Sequence, residues 1–242
     1  MKSLNKKKVL IAGGNGLIGK EIIRQGKKKF DFIIADNKKL KKKNYIKLDI
    51  GNIKKLKKLE KFFNKKKIKL YAVINVTHPT KLINKHFLNN NFNTFEQYLK
   101  KHLKAYYIFT HFFFSYFKKK KIKGAKIINF SSIYGSYIPN FKIYNGTNIK
   151  SPIEYSICKS GINIMTKYFA AYAKFCKIKI YLNCISPAGI YDKDKISNKF
   201  KKNYKKTYKT DMLSKSKLVF RVLKLLNKKN KSTGKNIIVT SG

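Results

Sequence analysis

Short apolar runs alternate with longer amphipathic stretches along nearly the whole chain, and no other feature restricts the fold as strongly. Strands are predicted at Lys8–Ala12, Phe32–Ala35, Tyr45–Leu48, Leu70–Asn75, Lys126–Phe130, Lys179–Cys184 and Asn236–Thr240. Helices are predicted near Leu17–Lys28, Ile53–Asn64, Phe95–Phe117, Ile153–Phe175 and Asp211–Asn227. Strands that alternate with helices pair in parallel through right-handed crossovers, which places helices on both faces of one sheet. The expected architecture is therefore a doubly wound α/β fold with a seven-stranded parallel sheet. A length of 242 residues suits one domain of this kind over residues 1–242, because open α/β sheets commonly reach that size.

The first predicted strand runs into Ala12-Gly13-Gly14-Asn15-Gly16-Leu17-Ile18-Gly19, and a helix follows. Gly14, Gly16 and Gly19 carry the spacing of the dinucleotide fingerprint. Glycine permits the tight turn, lets backbone approach a pyrophosphate and packs helix against strand. The free N–H groups of the helix N-terminus then face the phosphates. Asp36 closes the second strand, 22 residues after Gly14, where an acid accepts hydrogen bonds from the adenosine ribose hydroxyls. An acid there disfavours a 2′-phosphate, so NAD is expected, with NADP as the alternative cofactor. Lys38 and Lys39 weigh little against this in so lysine-rich a chain. The loop and strand together read as a Rossmann-type nucleotide site built on Gly13, Asn15, Gly16, Leu17, Ile18, Gly19 and Asp36. A tight turn without a ligand is the competing reading.

Tyr155-Ser156-Ile157-Cys158-Lys159 opens the long helical stretch after the fifth strand. Residues four apart share a helix face, so the phenol and ammonium can point into one site. A nearby cation favours phenolate and fits Tyr155 for proton transfer. With 16 tyrosines and so many lysines, this spacing arises readily by chance, and its surroundings give it weight. Asn129-Phe130-Ser131-Ser132 ends the fifth strand, and ligands of open α/β sheets sit at the strands' carboxyl ends. Ser132 is thus expected where a hydroxyl can hold a substrate carbonyl oxygen.

In their order, Gly13–Gly19, Asn75, Ser131-Ser132, Tyr155–Lys159 and Asn183-Cys184-Ile185-Ser186-Pro187-Ala188-Gly189 resemble the short-chain dehydrogenase/reductase (SDR) family over essentially the whole chain. Gly13, Gly16 and Gly19 come close to that family's looser glycine spacing. The resemblance implies an NAD(P)-dependent oxidoreductase that passes a hydride between nicotinamide and a carbonyl/alcohol substrate. It implies that Tyr155 is the proton donor or acceptor, that Lys159 lowers its pKa and binds the nicotinamide ribose, and that Ser132 orients the carbonyl. It also implies that Asp49, Ile50 and Asn75 flank the adenosine, and that Pro187, Gly189 and Ile190 pass along the nicotinamide.

Several positions depart from the family pattern. Asn75-Val76-Thr77-His78 stands where relatives have Asn-Asn-Ala-Gly, and Ala188 stands where a glycine is usual. The proton-relay asparagine falls at His102. Histidine can relay protons, and a helix-surface histidine is the other reading. Ser132 and Tyr155 are 23 residues apart, a longer gap than is usual in the family. The extra segment, 137–151, contains Pro139, Asn140, Tyr144, Asn145, Gly146, Thr147 and Asn148. It is expected on the substrate side, where its amide and hydroxyl groups suit a hydroxylated ligand. The run Ile133-Tyr134-Gly135, Ile143-Tyr144-Asn145-Gly146-Thr147 and Pro152-Ile153-Glu154-Tyr155 resembles the SDR enzymes of surface-polysaccharide and flagellin sugar modification, which implies a sugar or nucleotide sugar. A tolerated surface loop is the alternative. A 3-oxoacyl-carrier-protein reductase and a non-catalytic SDR-fold binding protein are the competing functions.

The net charge is +48, yet only Arg24 and Arg221 are arginine, and the lysines are scattered over the chain. Nucleic-acid sites also draw on the planar guanidinium, so the excess is read as compositional and no specific nucleic-acid partner is expected. Cys158, Cys176 and Cys184 lack metal-type spacing and read as reduced, buried thiols of a cytoplasmic protein, with no metal site. No signal peptide of normal length fits before the first strand. The longest apolar stretch, Ala105–Phe117, is too short to span a bilayer, so no membrane association is expected. Helices Phe95–Phe117 and Ile153–Phe175 are apolar on more than one face, which points to a homodimer or homotetramer through them, or to extra burial within the monomer.

Overall fold

In the first strand, Val9 and Ile11 are buried against one side and Leu10 and Ala12 against the other. A strand apolar on both faces belongs inside a parallel sheet covered on both sides. The structure, a computed structural model, describes residues 6–38, 44–79, 92–192, 194 and 196–242; Lys39 lies outside them. Seven strands, β1 (Lys7–Ala12), β2 (Phe30–Asp36), β3 (Tyr45–Lys47), β4 (Leu70–Asn75), β5 (Ala125–Phe130), β6 (Ile180–Pro187) and β7 (Asn236–Val239), form one sheet in the order β3-β2-β1-β4-β5-β6-β7. All six pairings are parallel. This is the Rossmann-type fold expected from the alternation. The order reverses between β1 and β4, and such a switch point opens a crevice at the strands' carboxyl ends.

Helices α2 (Ile53–Lys65), α4 (Ala105–Lys119) and α5 (Ile153–Phe175) cover one face through Leu56, Phe63, Phe109, Phe113, Ile162 and Ala173. Helices α1 (Leu17–Gly26) and α7 (Lys215–Leu226) cover the other through Ile22, Leu218, Val222 and Leu226. Among the described residues, no helix is long and apolar enough to cross a membrane.

The structure departs from the sequence reading in several places. The stretch predicted as one helix over Phe95–Phe117 is α3 (Phe92–Tyr98), a π-helical turn at Leu99–Lys104 and then α4. A π turn widens the helix by one residue per turn and is often found at functional positions. Helix α7 starts at Lys215, not Asp211, because the Ser214 hydroxyl caps it by accepting from Lys217 N (3.2 Å). Leu213, just upstream, bridges to Ile190. Helix α6 (Asn198–Tyr208), capped by Ser197, was not predicted. Of the three cysteines, Cys158 and Cys184 are buried, but Cys176 is exposed because it follows the last turn of α5 at the surface.

The segment 137–151 folds onto α6. A short 3-10 turn, Phe141–Tyr144, delivers Ile143, which is wholly buried with Phe200, Tyr204 and Met212. The result is a small satellite core beside the main one.

Candidate active site

The loop between β1 and α1 is held by close backbone packing. Gly13 has φ +80 and donates its N–H to Ala35 O at 2.8 Å. A Cβ on Gly13 would meet Thr77 N at 2.9 Å, and one on Gly19 would land 2.6 Å from Gly14 Cα. Gly16 is exposed at the N-cap of α1, and no side chain caps that helix. The first-turn N–H groups, at Leu17 and Ile18, therefore lack intrahelical acceptors, and the helix end suits an anion. Asn15 N donates to Asp36 Oδ2 (3.2 Å), which ties the loop to the end of β2, and Lys38 N donates to Asp36 Oδ1 (3.4 Å). The Ile50 side chain is buried in the hydrophobic core, and that of Ile18, half-buried, packs against core residues. Asp49 Oδ1 accepts from Gly51 N at 3.0 Å. These residues fit a dinucleotide: a close-packed glycine turn, an uncapped helix start and a carboxylate one strand away.

Beyond the switch point, Asn75 is buried at the end of β4, and its Oδ1 accepts from Thr77 N (3.2 Å) and Thr77 Oγ1 (2.8 Å). Asn75 Nδ2 meets no hydrogen-bond partner among the described residues. The Tyr106 hydroxyl donates to the carbonyls of Asn75 (3.2 Å) and Thr77 (3.0 Å) and fixes this turn from α4. The tail of β6 is held from both sides. Ala188 N donates to Val239 O (2.9 Å) and Leu213 N donates to Gly189 O (2.8 Å), so Pro187, Gly189 and Ile190 lie along the crevice rim.

Tyr155 lies in the first turn of α5 and Lys159 one turn later. The Ile133–Gly135 turn packs directly on α5, with Ser131 Oγ donating to Lys159 O at 2.8 Å. This packing brings the Ser132 hydroxyl beside the Tyr155 phenol. Lys159 is buried, and its Nζ donates to Phe130 O at 3.1 Å while lying 5.5 Å from the Tyr155 ring centroid. Ser132, Tyr155 and Lys159 are thus brought together.

Their electrostatics differ from the sequence expectation of a lowered tyrosine pKa. Burial pushes the Tyr155 phenol up to about 12, against the opposing pull of the nearby Ser132 hydroxyl. Burial draws the Lys159 ammonium down to about 8. Burial is the physical reason for both shifts, and the lysine's hydrogen bond goes to a main-chain oxygen and not to the phenol.

His102 lies in the π turn and is 1% exposed, not on a helix surface. Burial, then the Lys159 charge, then His78 hold its pKa far below the ordinary histidine value. Neither ring nitrogen has a hydrogen-bond partner among the described residues. Its ring contacts Tyr98, Tyr106 and His78 at centroid distances of 5.8, 5.5 and 5.5 Å. His78 also meets the Tyr155 ring edge-on at 5.6 Å. The sequence marked His78 only as a departure from the family pattern and gave it no role. A second missed group is the cluster of Tyr134, Tyr144 and Tyr208, whose phenols influence one another and, through Tyr144, Tyr155. Its signal was the tyrosine content of residues 134–144, but Tyr208 is remote in sequence.

A Rossmann-type sheet with a glycine turn at β1 and a Ser–Tyr–Lys group at the ends of β5 and α5 defines a nucleotide-linked dehydrogenase class of site. Comparison with known proteins narrows the class. The structure superposes with a TM-score of 0.86 on the crystal structure of a short-chain dehydrogenase from Leptospira borgpetersenii with bound NAD+, at 30% identity over 98% of this chain and 92% of that one. The chain belongs to the short-chain dehydrogenase family. Over 146 residues, 60% of its length, it is 31% identical to the post-translational flagellin modification protein A of Campylobacter coli, and the match spans 55% of that relative. A 4-hydroxyisoleucine dehydrogenase complexed with NADH shares the fold at 20% identity, with a TM-score of 0.78 and 98% of each chain covered. No model of a protein family matches the chain.

Proposed function

We propose that this chain is an NAD(P)-dependent oxidoreductase that interconverts a carbonyl and an alcohol, with Tyr155 as general acid/base. The observation that carries the proposal is the convergence of Ser132, Tyr155 and Lys159 where the carboxyl end of β5 meets the first turns of α5. A bound nicotinamide supplies or accepts the hydride. Ser132 holds the substrate oxygen, and Tyr155 gives a proton to that oxygen in reduction or takes one in oxidation. Lys159 is positioned from the sheet to bind the nicotinamide ribose, and its charge favours the phenolate. Gly13, Asn15, Gly16, Leu17, Ile18 and Gly19 hold the pyrophosphate, and Asp36 accepts from the adenosine ribose and selects NAD over NADP. Asp49, Ile50 and Asn75 flank the adenosine side, while Pro187, Gly189 and Ile190 line the nicotinamide. His102 serves as relay in place of the family's asparagine.

The substrate reading is a hydroxylated sugar, free or nucleotide-linked. Support comes from the phenol cluster of Tyr134, Tyr144 and Tyr208 beside Tyr155, and from the likeness to a flagellin modification protein. The proposed assembly is a homodimer or homotetramer through α4 and α5. Along α5, Ile164 is 66% exposed, Tyr168 73% and Phe175 84%, an apolar row that a second copy of the same helix would cover. The test is to incubate the protein with NADH and a series of nucleotide-linked keto sugars and follow nicotinamide absorbance. Oxidation of NADH by at least one keto sugar, and not by 3-oxoacyl thioesters, is the expected result. The reverse selectivity would favour the carrier-protein reductase.

A further inference from the structure

Each reduction takes one proton from Tyr155 to the substrate oxygen and leaves a phenolate that must regain a proton from solvent. Ser132 faces the substrate, and Lys159 is buried with its ammonium on the Phe130 carbonyl. Both side chains are buried, and the Tyr155 ring is half-buried between them and the surface. Beside the Tyr155 ring stands His78, which is exposed. Its imidazole is edge-on to Tyr155 at 5.6 Å and edge-on to His102 at 5.5 Å.

We propose that His78 is the solvent-side proton port of the site, with His102 as its neutral inner partner. The inference rests on the reading of Tyr155 as general acid/base. An imidazole offers one donor and one acceptor nitrogen, so an exposed histidine can exchange protons with water. His102 plays the complementary part. It is too buried to carry charge, but a neutral ring has one donor and one acceptor nitrogen. Both nitrogens, with Asn75 Nδ2 and the Tyr98 hydroxyl, are buried and lack partners among the described residues. Buried polar groups of this kind are normally satisfied by ordered water, and water there completes a chain between the phenol and His78.

Among the described residues, the other titratable groups around the pair are poor ports, Tyr144 included, whose phenol is also pushed up by burial. Tyr98 from α3 and Tyr106 from α4 are wholly buried, and burial pushes both phenols above their ordinary value. Lys159 and Glu154 from α5 are buried as well. In reduction the proton passes from His78 to the Tyr155 phenolate, directly or through His102 and water, and His78 regains one from solvent. In oxidation the direction reverses. No electrons move in these steps.

The test joins a substrate-free measurement to a kinetic one. In protein labelled at tyrosine Cζ and histidine nitrogens, the Tyr155 signal should show a step at the pH where His78 titrates, and His78→Gln should remove it. In turnover assays His78→Ala should lower kcat by roughly 10- to 100-fold, with imidazole in the buffer restoring the rate and the Kd for the nicotinamide cofactor unchanged. A Tyr155 signal blind to His78, or a His78→Ala rate equal to wild type while Tyr155→Phe is inactive, overturns the port and leaves Tyr155 in place. An active Tyr155→Phe overturns the underlying reading instead.

Discussion

The Lys159 ammonium donates to the main-chain oxygen of Phe130 at 3.1 Å, so the lysine is anchored to the end of β5 and stands beside, not on, the Tyr155 phenol. The anchor fixes a cation where a nucleotide ribose is proposed to lie, at an energetic cost. Burial lowers its pKa from the ordinary 10.5 to about 8. The unfolded chain therefore holds this proton more tightly than the folded one. The penalty is complete below about pH 8 and fades as pH rises toward 10.5.

Lys159→Met should therefore raise stability at pH 7 by on the order of 1–3 kcal/mol, since an apolar side chain of similar length avoids burying a charge. The gain should shrink between pH 8 and 10.5. Denaturant melts across that range check the sign. The same variant should lose cofactor-linked turnover, because stability and function pull against each other at such a residue.

Asp36→Ser should reverse cofactor choice. The carboxylate accepts from Asn15 N and Lys38 N and is proposed to accept from the ribose as well. Removing a charged acceptor costs about 1.5–3 kcal/mol, or roughly 10- to 100-fold in NAD affinity. Calorimetric titration with NAD+ and NADP+ should show NAD+ weakened and NADP+ unchanged or tightened.

Gly13→Ala should abolish nucleotide binding and destabilise the fold by about 1–3 kcal/mol. Gly13 has φ +80, and the added Cβ would press on the backbone at Thr77 N and Val76 C. Neither neighbour is a flexible side chain that can yield. Thermal melting and cofactor titration of the same sample check both effects.

Ile143→Ala should loosen the satellite core without opening the sheet. Ile143 packs only with Phe200, Tyr204, Met212 and their neighbours, and such truncations cost about 2–5 kcal/mol. Hydrogen exchange should quicken across 137–151 and α6 while β1 to β6 stay protected. The substrate KM should rise and the cofactor Kd should hold.

The sheet was legible in the sequence because residues such as Val9, Leu10 and Ile11 are apolar on both faces of a strand, a pattern few alternatives explain. The placement of Tyr155 and Lys159 on one helix face and of Ser132 at a strand end was legible because helix spacing and strand-end position are local facts, whereas their proposed roles came from the family resemblance. Helix α6 was hidden: Phe200, Tyr204 and Tyr208 have a one-turn spacing, but lysines surround them and their partners lie in 137–151. The π turn was hidden too, because Leu99–Lys104 carries residues that suit an α-helix equally well. The sequence placed a cation near Tyr155 but could not say which oxygen would hold it. The direction of the tyrosine shift depends on that partner and on burial, and both are tertiary facts.

The measurement that tests the Tyr155 assignment most directly is single-turnover hydride transfer in Tyr155→Phe, with a substrate identified from the keto-sugar series. The variant removes one oxygen and keeps the ring. Cofactor should bind with unchanged affinity, and the transfer rate should fall by roughly 10²- to 10⁴-fold. A transfer rate equal to that of the unaltered chain would contradict the role given to the phenol.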